Sequence, residues 1–64
     1  MKIILDIDEV ALVRGYEDTR AAKTTAIRHT LADLNKQIGQ GQTNGGDLVN
    51  GAKITCGKWS VELE

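Results

Sequence analysis

The chain has 64 residues, 41% of them apolar, and a formal net charge of −1, which bounds it to a single domain, residues 1–64, with a small core. So little net charge supplies no long-range field toward nucleic acid or a membrane surface, and it counts against both as partners. One cysteine and one histidine exclude an internal disulfide and a Cys/His metal site, so no metal or cofactor is expected and a second subunit becomes the expected source of extra buried area.

The segment KIILDI (residues 2–7) is rich in β-branched side chains and apolar on both faces, which predicts a buried strand with Ile3, Leu5 and Ile7 on one side and Ile4 and Asp6 on the other. Its apolar run is too short for a signal peptide or a membrane span. A lone cysteine fits a reducing compartment, and the expected location is cytoplasmic. Alternation fails at Glu9. Val10, Val13 and Tyr16 follow at helical spacing, with Asp8 as N-cap and Glu9 in the first turn. A strand continued to Arg14 would put Glu9 on the apolar face, so helix is favoured.

Residues 17–38 predict the main element. Thr24, Ile27, Leu31, Leu34 and Ile38 form one stripe, Ala21, Ala22, Ala26 and Ala32 add helix propensity, and Gly39 is placed to stop the helix. TNGGD then signals turns, and DLVNGAKIT reads as two strand pieces around an Asn50-Gly51 type I′ turn. Gly57 breaks that run. WSVELE alternates, with Trp59, Val61 and Leu63 inward and Ser60, Glu62 and Glu64 outward. The fold class is therefore α+β: one long amphipathic helix packed on a small sheet, in the order β-α-β-β or with one further strand.

A helix over residues 17–38 runs about 33 Å, whereas a domain of this size has a radius of gyration of about 11 Å. The sheet cannot cover the whole rod. Ile27, Leu31, Leu34 and Ile38 are therefore the expected interface between copies in a homodimer or higher oligomer.

Five of the seven glycines fall in residues 39–51. A phosphate-binding P-loop has four residues before its Gly-Lys and a hydroxyl after it. Here five residues separate Gly51 from Gly57, and Trp59 follows Lys58. Turns and a connector account for the glycines. Asn44, Gly45, Gly46 and His29 remain as an alternative site for a small anionic ligand such as a nucleotide, assembled between subunits. His29 and Asp33 are spaced to pair along the helix. Asp6, Asp8 and Glu9 could hold a hard cation, but a strand end and a helix cap explain them better. Cys56 reads as a half-buried strand residue with no activating base nearby.

No catalytic residue is expected. The leading reading is a small non-catalytic interaction protein that self-associates and binds another protein through Tyr16, Arg20, Lys23, Arg28 and Trp59. Its size and style fit the accessory proteins by which phages and mobile elements inhibit a host system. Ligand sequestration and nucleic-acid binding are the alternatives.

Overall fold

The computed structural model describes residues 1–63; the outward placement expected of Glu64 lies outside them. Strand β1 (Lys2–Ile7) leads into a single helical turn, α1 (Glu9–Leu12). The long helix α2 (Arg20–Gly39) comes next, then β2 (Gly45–Val49) and β3 (Thr55–Glu62). The expected α+β class and element order are present. The sheet is antiparallel with order β1-β3-β2, so the last strand is central. Ile3, Leu5 and Ile7 stand opposite Val61, Trp59 and Gly57. Gly46 and Leu48 stand opposite Trp59 and Gly57.

Local chemistry fixes most boundaries. The Asp8 carboxylate accepts the Val10 amide at 2.9 Å, which starts α1 where the strand pattern breaks. The Thr19 hydroxyl accepts the Ala22 amide at 3.1 Å and starts α2, later than the expected residue 17. Gly39 is still helical; the left-handed residue just beyond the helix is Gly41, with φ 89°. β3 does not break at Gly57, which lies inside the strand where β1 passes too close for a Cβ. No type I′ turn forms at Asn50-Gly51. Residues 50–54 make a wider loop closed by Asn50 N–H to Ile54 O at 3.1 Å, with Lys53 in the left-handed region at φ 61°.

The core is small. Leu12, Ala26, Leu48, Cys56 and Trp59 are buried, with Ile7, Ala11, Tyr16, Leu34 and Val61 packed around them. Cys56 is buried rather than half-buried, its Sγ 3.6 Å from Thr30 Oγ1. Leu63 is 76% exposed and does not join the inward row, because β3 ends at Glu62. β1 is an edge strand and not the buried one expected. The longer β3 takes the centre because both its edges are paired.

A buried side chain ties the loop to α1. The Asn50 Nδ2 group donates to the carbonyls of Ala11 at 3.3 Å, Leu12 at 3.1 Å and Arg14 at 3.1 Å. Its Oδ1 accepts the amides of Ala52 at 2.9 Å and Ile54 at 3.1 Å. Acceptors on one side and donors on the other fix the orientation of the amide. Asn50→Ala strips partners from several backbone groups at once. It is expected to cost about 3 kcal/mol, a fall in Tm on the order of 15 °C. Asn50→Asp, which aims a carboxylate at three carbonyls, should cost more. Thermal denaturation followed by circular dichroism at fixed protein concentration measures both.

Candidate functional site

The face that α2 turns to the sheet is not its most apolar one. Ala26 and Thr30 are fully buried, and Ala22, Asp33, Leu34 and Gln37 are half-buried. Small residues at 26 and 30 let the helix approach closely, and α2 lies along β2. Polar bonds then lock it. The Trp59 indole N–H donates to Gln37 Oε1 at 2.8 Å. Gln37 Nε2 donates to Asp33 Oδ2 at 2.9 Å and to the Asp47 carbonyl at 2.7 Å. The Val49 amide donates to the same Asp33 oxygen at 3.1 Å. Asp33 therefore serves β2 and Gln37, not His29 as its spacing suggested.

This seating leaves a flank uncovered. Ile3, Leu5, Ile27, Leu31 and Ile38 are each between 42% and 49% exposed, while Ile4, 44% exposed, lies on the outer face of the sheet. Of the stripe expected between copies, Ile27, Leu31 and Ile38 thus lie open, while Leu34 leans into the core. Thr24 is exposed and backbonds to the Arg20 carbonyl. Two open grooves sit on this flank. One, of about 380 Å³, is lined by Val10, Leu12, Val13, Lys23 and Ile27. The other, of about 250 Å³, lies among Ile3, Ile38, Trp59 and Val61.

The remaining expected site residues separate. Tyr16 and His29 meet: the Gly51 amide donates to the phenol oxygen at 2.7 Å, and His29 Nδ1 lies 2.7 Å from the same oxygen. A Cβ at Gly51 would meet both the imidazole and the phenol, so those side chains would have to move to admit it. Gly45 and Gly46 are strand residues, and Gly46 lies against Gln37, about 12 Å along α2 from His29. The Asn44 carbonyl accepts the Val61 amide at 3.4 Å. The fold does not gather Asn44, Gly45, Gly46 and His29 into one cradle within a subunit. Arg20 and Arg28 are exposed, and Lys23 pairs with Asp18 at 3.1 Å on the surface. Trp59 is only 3% exposed, so a partner surface around Tyr16, Arg20, Lys23 and Arg28 stands without it. Asp8 is spent on its cap, and Asp6 stands opposite Lys58.

Sequence reasoning paired Asp33 with His29 and missed its bonds to Gln37 and β2; the i,i+4 spacing of Asp33 and Gln37 was the available signal. It also missed Asn50, masked by its turn-forming dipeptide. Comparison with protein-family models, curated proteins and solved structures finds no match.

Tyr16→Phe removes the bridge between Gly51 and His29. It should cost about 1 kcal/mol, or about 5 °C in Tm, in the same thermal assay. Gly51→Ala, which must displace both rings, is expected to cost more.

Proposed function

We propose that the protein is a small non-catalytic interaction module that self-associates through its uncovered flank and presents its neighbouring basic surface to a protein partner. The carrying observation is surface excess. A folded chain of 6.9 kDa ordinarily exposes about 4000 Å², whereas this one exposes 4698 Å², about 700 Å² more. The excess approaches the roughly 800 Å² that each partner contributes to a standard interface. Half-exposed apolar side chains of α2 (Ile27, Leu31, Ile38) and β1 (Ile3, Leu5) are available to such an interface, and apolar patches mark association surfaces.

The chemistry of the reactive side chains supports a non-catalytic role. The Cys56 thiol is buried beside Thr30, and the His29 ring is engaged by Tyr16, so nucleophile and base sit in separate environments. Arg20, Lys23 and Arg28 border the apolar flank, a polar rim around an apolar centre.

Light scattering coupled to size exclusion should return a mass above 6.9 kDa that falls on dilution. Ile27→Lys with Leu31→Lys should shift the protein to the monomer mass without changing its circular dichroism. A concentration-independent wild-type monomer would refute the proposal.

A further inference from the structure

The sheet has two edges, and they are treated differently. On β2, the Gly45 carbonyl accepts from Gln42, the Asp47 carbonyl from Gln37, and the Val49 amide donates to Asp33. Side chains from α2 and the loop after it thus cap that edge and deny it to another strand. β1 carries no such cap among the described residues. The Asp8 amide donates to the Cys56 carbonyl at 2.8 Å. By antiparallel alternation the even-numbered residues of β1 then aim their backbone groups at β3, and Ile3, Leu5 and Ile7 aim theirs at the open edge.

We infer that β1 pairs with β1 of a second copy across a two-fold axis, joining two three-stranded sheets into one continuous antiparallel sheet. This rests on the proposed self-association and names its surface and register. Residues on matching faces must stand opposite each other, and the strand's own charges select one alignment. With Ile4 facing its symmetry mate, Ile3 stands opposite Leu5 and Lys2 opposite Asp6 of the other copy. Ile3 and Leu5 are then the pair that exchanges hydrogen bonds, as their open-edge orientation requires. Shifting by two positions instead sets Lys2 or Asp6 against Ile4.

The same register completes a charge pattern. Within one subunit Asp47, Lys58 and Asp6 lie in a row across the outer face, and Lys2 lies beside Glu62. Joined at β1, the row reads Asp47, Lys58, Asp6, then Lys2 and Glu62 of the second copy, alternating in sign throughout. On the inner face Ile3 and Leu5 cover one another beneath the two α2 flanks. Ile27, Leu31 and Ile38 of each copy turn toward the axis. The pairing therefore draws on the surface excess and uses a strand that is already extended.

The test exploits the symmetry. Lys2→Asp alone sets the new carboxylate against Asp6 of the other copy. Asp6→Lys alone sets the new ammonium against Lys2 of the other copy. Each clash occurs at two equivalent places, and each variant should dimerise about tenfold or more weakly than the wild type. In a mixed dimer of the two variants, one place joins the new carboxylate to the new ammonium and the other joins the native Asp6 to the native Lys2. Opposite charges then meet at both places, so a heterodimer should form in preference to either homodimer, read by native mass spectrometry. Circular dichroism and Trp59 emission verify folding. Independently, hydrogen exchange of the wild type should show Ile3 and Leu5 amides protected only at high concentration, with the Ile4 amide protected throughout. A dimer whose mass, mixing preference and Ile3 and Leu5 exchange ignore these changes overturns the β1 pairing while leaving self-association intact. A wild type that is monomeric at every concentration overturns both.

Discussion

The position of the helix over the sheet depends on one side-chain amide. Gln37 accepts from Trp59, donates to Asp33 and to the β2 backbone, and so couples the largest core residue to the sheet edge. Among the described residues no buried side-chain nitrogen or oxygen lacks a hydrogen-bond partner, the condition under which a partly buried network specifies a geometry rather than weakening it. In a core of five buried apolar residues, apolar area alone specifies lateral placement weakly. The network removes that freedom by tying α2 to β2. The domain is asymmetric as a result, with one sheet edge closed by the helix that lies along it and one left bare.

That asymmetry underlies the proposed function. Ile3 and Leu5 of β1 and Ile27, Leu31 and Ile38 of α2 are left between 42% and 49% exposed in a single copy. Bare edges are aggregation hazards unless they have a specific use. The proposed β1 pairing would give this edge a preferred mate, because a strand that is its own complement under two-fold rotation discriminates against unrelated edges. The helix flank and the strand edge then act as parts of a single surface.

Polar side chains also replace missing core at the other end of the molecule. Asn50 holds the β2–β3 loop against α1, and Tyr16 spans from the same loop to α2 through Gly51 and His29. These contacts join segments distant in sequence that share few apolar groups. They also explain why local signals misled. Asn50-Gly51 has the composition of a two-residue turn, but the loop is set by what Asn50 and Gly51 meet on α1 and α2. His29 and Asp33 have the spacing of a pair, yet each has a nearer partner on another element.

Local physics written along the chain determined the strand at residues 2–7, the capped turn at Asp8, the long helix, the alternating last strand and hence the α+β class. Caps, β-branching and periodicity act over a few residues and need no tertiary contact. Which face of α2 is buried was a tertiary decision. The helix carries a large apolar stripe through Ile27, Leu31 and Ile38 and a small polar one through Ala26, Thr30, Asp33 and Gln37. Hydropathy favours the first. Close approach to β2 and the Trp59–Gln37–Asp33 bonds require the second, and those partners lie far away in the chain. The same contacts decided that the last strand is central, that the first is an edge, and that Ile27, Leu31 and Ile38 are left uncovered.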